Sequence, residues 1–209
     1  MEITKLGHSC ILIEDSGYIV LFDPGKWAER SLIEALKHVD EVVYTHEHAD
    51  HFSLDILQML AGKFPDLKVV CNQHIRTLIS DSGIALPCSE SSAAVKPFTS
   101  PHEQLPLPGV QAPAQSGYHY KDVFTHPGDS QTFQESMKVL AMSFIAPWGK
   151  TGDSIDLVLR LKPRYVLPIH DWHYTNEAKQ WLQDLIDSVL APAGITLLSY
   201  ENGRAVEIA

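Results

Sequence analysis

The chain has 209 residues, a formal net charge of -10 and an apolar fraction of 44%. This size and composition predict one globular domain over residues 1–209, with enough apolar material for a sizeable core. The acidic charge disfavours binding to nucleic acid, because an acidic surface repels the phosphate backbone.

The sequence up to Gly83 contains both short β-type runs and helical patterns. The runs "CILIE" and "YIVLF" flank the turn "DSG" and predict a β-hairpin. "AERSLIEALKHV" has apolar residues at helical spacing and predicts a helix, whereas "EVVYT" predicts a buried strand. Ser53 is a good N-cap for a helix over "LDILQMLAGKF". The strand "LKVVC" and the helix "HIRTLISDSG", which Gly83 closes, come next.

The second half begins with a weak pattern and then becomes regular. Residues 84–117 are rich in Pro, Ser and Ala, and they predict loops with two or three short strands. "VFTHPGDS", "MKVLAMSF", "RYVLPI", "ITLLSY" and "RAVEIA" predict strands, and "SIDLVLRL" and "NEAKQWLQDLIDSVLAP" predict helices. Strands without helices, followed by alternating strands and helices, favour mixed sheets covered by helices over a doubly wound sheet.

The cysteines and the lack of long apolar runs predict the compartment. Cys10, Cys71 and Cys88 occur in no paired motif, so we expect a reducing cytoplasm rather than a disulfide framework. The first residues do not resemble a signal peptide, and no apolar run approaches the roughly 20 residues that cross a bilayer. We therefore expect a cytoplasmic protein with no membrane span.

The segment "YTHEHADHF" crowds four candidate metal ligands into one turn. His46 and His48 are two positions apart at a strand end, so an extended backbone points both to one side. Asp50 and His51 follow as the chain turns towards Ser53. Imidazole and carboxylate are common ligands of divalent metals. We interpret the segment as a loop that supplies two ligands to each of two metals, rather than as a histidine-rich polar loop.

Further candidate ligands follow predicted strands in the second half of the chain. His170 comes after "RYVLPI", where Pro168 is expected to end the strand ladder, and Asp129 follows the glycine turn of "THPGDS". His102 lies in the loop "FTSPHEQLP". Because side chains at strand ends converge on the rim where active sites of layered folds form, we expect these residues to join the loop.

The motifs together resemble those of the metallo-β-lactamase-fold hydrolases. Residues 46–51 match the HxHxDH signature of that family, and His102, Asp129 and His170 follow in the family's order. "LGHSCILIE" and "LFDPG" resemble the branch that contains the L-ascorbate-6-phosphate lactonase-like and N-acyl-phosphatidylethanolamine phospholipase-like enzymes. The resemblance implies an α/β (α+β) fold, a four-layer αββα sandwich of two mixed sheets.

The resemblance also implies which residues bind two divalent metal ions, with zinc expected and Mn, Fe or Ni as alternatives. The implied ligands are His46, His48 and His102 for the first metal, Asp50, His51 and His170 for the second, and Asp129 as the bridge. For the third position, His74, His119 and His126 lie in the same interval as His102 and remain alternatives. Asp23 and His8 are candidates for supporting the ligands, and Trp148 and His173 for lining a substrate pocket. Asp23 could instead only form a turn, and His8 could be a core residue.

The predicted activity is metal-dependent hydrolysis. A hydroxide that bridges the two metals would attack a small ester, lactone or phosphoester, and Asp50 would orient it as well as bind metal. A nuclease of the same fold would need a basic groove, for which the chain has no Arg/Lys cluster. A non-hydrolytic iron oxygenase and a non-catalytic metal-binding protein remain the alternatives, and the sequence does not predict the oligomeric state.

Overall fold

A computed structural model describes residues 1–208 of the protein. The chain divides into two compact units, one formed by Met1–Ala93 with the segment that begins at Glu201, the other by Ala94–Tyr200. A single domain over residues 1–209 therefore stays a prediction.

Strands and helices are numbered along the chain. The strands are β1 (Glu2–Lys5), β2 (Ile11–Asp15), β3 (Tyr18–Phe22), β4 (Glu41–Tyr44), β5 (Lys68–Cys71), β6 (Cys88–Ser89), β7 (Val95–Phe98), β8 (Gly117–Tyr120), β9 (Phe124–His126), β10 (Val139–Ser143), β11 (Tyr165–Ile169), β12 (Thr196–Leu197) and β13 (Ala205–Glu207). The helices are α1 (Arg30–Ala35), α2 (Leu54–Lys63), α3 (Gln73–Asp81), α4 (Thr151–Leu161) and α5 (Asn176–Leu190), and a 3₁₀ turn covers Ala191–Ala193.

The first unit contains a mixed sheet in the order β13-β1-β2-β3-β4-β5-β6. Strands β13 to β3 pair antiparallel and β3 to β6 pair parallel. The predicted hairpin is confirmed as β2 and β3, joined at Ser16 and Gly17 with φ of 55° and 85°, which are the positive values that a tight hairpin turn requires. Helices α1, α2 and α3 pack apolar residues, among them Ile33, Leu57 and Ile75, into one core with the sheet.

Local signals decide where the helices of this unit begin and end. Ser53 caps α2 as predicted, because its side chain accepts a hydrogen bond from the Ile56 N–H at 3.4 Å. Helix α1 is shorter than "AERSLIEALKHV" predicted: no side chain caps its start, and Leu36 leaves the helical region with ψ of 139°. Without caps a short helix has little to extend it.

The second unit contains a mixed sheet in the order β12-β11-β10-β9-β8-β7. Strands β9 to β12 run parallel, so the segments after β9, β10 and β11 leave the sheet at the same edge. Helices α4 and α5 contribute Leu157, Leu182 and Ile186 to its core. The expectation that Pro168 ends the ladder is wrong, since pairing with β10 continues to Ile169. On the other side, pairing with β12 is recorded only to Val166, and a strand side without a partner tolerates a proline.

Both units thus combine a mixed sheet with helices, which confirms the predicted α/β class. Among residues 1–208, none of the helices combines the length and the apolar character that crossing a membrane requires.

Candidate metal centre

The ligand loop of the first unit starts directly after β4 and gathers three imidazole rings. The ring centroid of His46 lies 4.8 Å from that of His48 and 4.1 Å from that of His51. The N–H groups of His51 and Phe52 both bond to the His48 carbonyl, at 2.9 and 2.8 Å, which makes the turn that leads into α2. The Asp50 Oδ2 atom lies 3.8 Å from the His51 Nε2 atom. A single short loop therefore brings these four residues together.

Asp23 lies under this loop and fixes it from a fully buried position. Its Oδ1 accepts the backbone N–H of Thr45 at 2.8 Å, and its Oδ2 accepts the Thr45 hydroxyl at 2.6 Å and the His51 Nδ1–H at 2.7 Å. Since the Thr45 hydroxyl hydrogen points to Asp23, the Thr45 hydroxyl oxygen accepts the Nδ1–H of His46 at 3.0 Å. Asp23 thus sets the ring tautomer of His51 directly and that of His46 through Thr45.

His8 and Ser9 approach the same loop from the turn between β1 and β2. The buried His8 ring has its Nε2 atom 3.1 Å from Asp50 Oδ2, and because a carboxylate only accepts, Nε2 carries the hydrogen. His8 is therefore a donor to Asp50 in this arrangement, and an Nε2–H group does not bind a metal. The Ser9 hydroxyl lies 3.4 Å from His51 Nε2.

The "DPG" segment backs the ligand loop so closely that only glycine fits. A Cβ atom on Gly25 would lie 2.0 Å from the carbonyl oxygen of Asp50, far inside any contact distance. The next residue, Lys26, donates its backbone N–H to the Ala49 carbonyl at 2.8 Å. The backbone of residues 49–50 is therefore held in place by residues 25–26.

In the second unit, three of the candidate residues surround one carboxylate oxygen of Asp129. Its Oδ2 atom lies 3.6 Å from His102 Nε2 and 3.3 Å from His170 Nε2, and it accepts the indole N–H of Trp148 at 3.0 Å. His102, Asp129 and His170 are all buried. Asp129, Trp148 and His170 lie in the segments that follow β9, β10 and β11. These parallel strands end at the same edge of the sheet, so the three residues can meet there.

Backbone carbonyls fix the tautomers of both histidines in this unit. His102 donates its Nδ1–H to the Glu103 carbonyl, and His170 donates its Nδ1–H to the Ile145 carbonyl at 3.2 Å, because a carbonyl oxygen only accepts. His170 itself has a φ of 68°, a left-handed conformation that is unusual for a side chain of its size.

Gln115 connects the His102 segment to the Asp129 segment. Its Oε1 accepts the Asp129 N–H at 2.9 Å, and its Nε2 donates to the Ser100 carbonyl at 2.8 Å. The Glu103 N–H also donates to the Asp129 carbonyl at 2.8 Å. Neither Gln115 nor Thr45 was singled out from the sequence; only the position of Thr45, directly before the signature, could have drawn attention to it.

The other histidines considered for the third position have different surroundings. His74 pairs with Glu47 at 2.6 Å on the surface, and the buried His126 accepts the Gly128 N–H through its Nδ1 at 3.2 Å. His119 stacks on Phe98 with ring centroids 4.1 Å apart, and desolvation by burial lowers its pKa.

Around the second-unit ligands, Trp148 is half-buried, with its ring centroid 6.1 Å from that of His102 and 5.6 Å from that of His170. His173 is exposed, and its ring lies 6.2 Å from the His170 ring.

The donor set in each unit suits a divalent metal. A metal-bound histidine normally donates its other ring N–H to a carboxylate, carbonyl or similar acceptor, and this second contact fixes the metal-binding nitrogen. His46, His51, His102 and His170 each use Nδ1–H in this way, so Nε2 is the ring nitrogen left to bind a metal in each of the four. Imidazole nitrogen with carboxylate oxygen fits Zn²⁺, and Mn²⁺, Fe and Ni²⁺ can use the same donors.

Comparison with known families identifies the chain. The profile of the family described as "Beta-lactamase superfamily domain" matches residues 2–170. The chain belongs to the β-lactamase superfamily. The match includes the ligand loop and ends at His170, and so it spans all the candidate ligands.

Relatives and solved structures extend this result. The UPF0173 metal-dependent hydrolase MJ1163 of Methanocaldococcus jannaschii is 24% identical over 188 residues, 80% of this chain and 83% of the relative. Igni18, a metallo hydrolase from Ignicoccus hospitalis, has a TM-score of 0.71 at 18% identity and covers 98% of this chain and 97% of its own. CmlA, a diiron β-hydroxylase from Streptomyces venezuelae, has a TM-score of 0.71 at 12% identity and covers 99% of this chain and 54% of its own. The protein therefore has the metallo-β-lactamase fold.

Proposed function

We propose that this protein, a metal-dependent hydrolase of the metallo-β-lactamase fold, cleaves a small ester, lactone or phosphoester with two divalent metal ions, which we expect to be zinc. The observation that carries the proposal is the shared orientation of His46, His51, His102 and His170, each with Nδ1–H donated to a fixed acceptor. The metal-dependent hydrolase and the metallo hydrolase among its relatives support the same activity.

The proposed ligands are those that the family resemblance implies. They are His46, His48 and His102 for one ion, Asp50, His51 and His170 for the other, and Asp129 for both. When bound, the ions would lower the pKa of a water molecule to about 7 and polarise the carbonyl or phosphoryl group under attack.

The protein's own part in the reaction is to place the ligands and to manage a proton. The Asp50 carboxylate is half-buried, and His8 holds its Oδ2 through a hydrogen bond of 3.1 Å. We propose that Asp50 orients the attacking water, accepts its proton and returns that proton to the leaving group. Asp23 and Thr45 keep the imidazoles of His46 and His51 in one orientation through their hydrogen bonds, so these two rings are placed before a substrate binds.

A small-molecule substrate and a cytoplasmic location complete the proposal. The acidic net charge of -10 disfavours a polyanion such as nucleic acid. All three cysteines are free thiols, which suits a reducing compartment.

An iron oxygenase is the second candidate, because the structural likeness to the diiron hydroxylase CmlA is as strong as that to Igni18. Fold likeness alone does not transfer an activity, and the two candidates use different chemistry. An oxygenase would be coloured and would consume oxygen, whereas a zinc hydrolase would do neither.

The decisive experiment is elemental analysis followed by assays on lactones, phosphodiesters and thioesters with each metal restored. The double variant His46→Ala/Asp129→Ala should lose both bound metal and turnover, while His38→Ala, an exposed histidine paired with Asp40, should lose neither. Full activity in the double variant would refute the proposal. Metal binding with no turnover on any substrate would instead indicate a non-catalytic protein.

A further inference from the structure

Cys71 and Cys88 form a pair of thiols at the edge of the first unit's sheet. Cys71 ends β5 and is fully buried, whereas Cys88 begins β6 and is half-buried. Strands β5 and β6 are parallel with Val69 opposite Cys88, so Cys71, two residues beyond Val69, faces the same side of the sheet. Cys88 packs against the core cluster that contains Cys71, and its S–H donates to the Leu86 carbonyl at 3.5 Å.

The surroundings make the two thiols chemically unequal. The neighbouring Cys71 thiol and the positive charge of Arg76 together lower the pKa of Cys88 to about 7, against the opposing effect of burial. The Cys88 side chain and burial raise the pKa of Cys71. The Nε of Arg76 is buried and has no hydrogen-bond partner among the described residues, so this N–H is available to a thiolate. Cys88, the more exposed thiol with the lower pKa, is therefore the sulfur that meets the peroxide, and the buried Cys71 is the sulfur that resolves the product.

We propose that Cys88 and Cys71 are a redox-active thiol pair that a hydroperoxide converts into a disulfide. The Cys88 thiolate attacks the terminal peroxide oxygen and the O–O bond breaks, which leaves Cys88 as sulfenic acid. The alkoxide or hydroxide that leaves takes a proton from solvent and becomes an alcohol or water. The Cys71 sulfur then attacks the Cys88 sulfur, the S–O bond breaks and water leaves with the Cys71 proton. The two sulfurs together lose two electrons, which reduce the peroxide.

The edge position of β6 makes the second step possible. Adjacent strands lie about 4.8 Å apart and two residues of a parallel strand span about 6.6 Å. The diagonal between the two Cα atoms is therefore about 8 Å, beyond the upper limit of about 6.8 Å for a disulfide, and the bridge requires Cys88 to move more than about 1 Å towards Cys71. Strand β6 has two residues and β5 as its neighbour in the sheet, so few hydrogen bonds oppose this movement.

This pair is separate from the proposed ligands but adjoins the strand that presents them. Cys71 is the partner of Tyr44 in the β4–β5 ladder, and Thr45 and His46 follow Tyr44. The next residue, Asn72, caps α3 through the Ile75 N–H and donates to the Thr45 carbonyl at 3.2 Å. The thiol chemistry itself does not depend on the proposed hydrolase activity, and it is tested without it.

The test uses the reduced full-length protein, hydrogen peroxide and mass spectrometry after alkylation. We expect loss of two alkylatable thiols and a Cys71–Cys88 cross-linked peptide, while Cys10, whose pKa is raised by burial, still reacts after unfolding. At rising pH the iodoacetamide reaction of Cys88 should reach half its maximum rate near its lowered pKa of about 7.

Variants separate the roles of the residues. Cys71→Ser should stop at a Cys88 sulfenic acid that dimedone traps, Arg76→Gln should slow the alkylation of Cys88 several-fold, and Cys10→Ser should still form the disulfide. Three intact thiols in the peroxide-treated wild type would overturn the proposal, and so would a disulfide in Cys88→Ser between the remaining cysteines at the wild-type rate. The wild-type peptide map decides the matter even where a variant fails to fold.

Discussion

Replacing Asp23 with asparagine tests how the ligand loop is held. Asp23 receives three hydrogen bonds, one from the Thr45 N–H to Oδ1 and two from the Thr45 hydroxyl and the His51 Nδ1–H to Oδ2. Asn has the same shape, but it offers one oxygen and one NH₂ group. Because all three groups around it are donors, at least one of them must face the NH₂.

The less costly orientation keeps the amide oxygen at the Oδ2 position and leaves the Thr45 N–H without an acceptor. A buried donor left unsatisfied costs about 1–3 kcal/mol, so the free energy of unfolding should fall by that amount. A neutral oxygen also holds the His51 imidazole less firmly than a carboxylate does. Loss of such a support typically weakens metal affinity by about 10–100-fold, and we expect a decrease in this range for Asp23→Asn.

Chelator competition measures the metal affinity, and chemical denaturation of the metal-free protein measures the stability. Asp40→Asn is the matched control, because the Asp40 carboxylate accepts the Ile19 N–H at 2.8 Å and pairs with His38. This control should lose stability and keep its metal affinity. Equal metal affinities in the two variants would show that Asp23 does not support the ligands.

Three further predictions follow from single contacts. Trp148→Phe removes the indole donor to Asp129 Oδ2 and should weaken metal binding about tenfold. Trp181→Phe, at a residue that is 67% exposed, should leave metal binding unchanged. Equal effects of the two substitutions on metal affinity would refute the role of the Trp148 indole. Gly25→Ala places a Cβ atom 2.0 Å from the backbone carbonyl oxygen of Asp50 and should lower both stability and metal affinity. Gly62→Ala, in open space on α2, should instead stabilise the protein by about 0.5–1 kcal/mol. Burial lowers the pKa of His119 from its ordinary 6.5. The His119 imidazole therefore takes up a proton less readily in the folded protein than in the unfolded chain, and the folded protein should lose stability as the pH falls below 6.5. His119→Gln should reduce this decline in denaturation curves measured at a series of pH values, and an unchanged slope would contradict the assignment.

Features with a local cause were predictable from the sequence. The hairpin at Ser16 and Gly17 has a turn whose residues suit positive φ, and the start of α2 has a capping side chain at Ser53. The order of strands and helices gave the α/β class, because alternation of the two patterns constrains the sheets. The signature at residues 46–51 predicted that its side chains gather in one short loop after a strand, and the rings of His46, His48 and His51 lie together there. That these residues bind metal stays a prediction.

Features that depend on distant partners were not predictable. The early end of α1 and the strand pairing that continues past Pro168 depend on the neighbouring strands and helices. The local sequence does not reveal these neighbours. The long interval from His74 to His126 contains several histidines, and the choice of His102 came from its loop and from the family's order. In the structure Gln115 joins the His102 segment to Asp129, and no pattern in the sequence indicates that contact.

The backbone offers an independent pointer to the same residues. Within residues 1–208, six residues other than glycine have positive φ, and three of them are His8, Asp23 and His170, with φ of 49°, 43° and 68°. Glycine would relieve the strain at each position, which costs of order 1–3 kcal/mol, but it would remove the side chain that contacts Asp50, His51 or Asp129. The other three are Ser16, Lys121 and Lys162, of which Ser16 lies in the hairpin turn and Lys162 caps α4. Strain that a turn or a cap explains says little about function, whereas strain kept for a buried histidine or aspartate indicates that the side chain itself is needed.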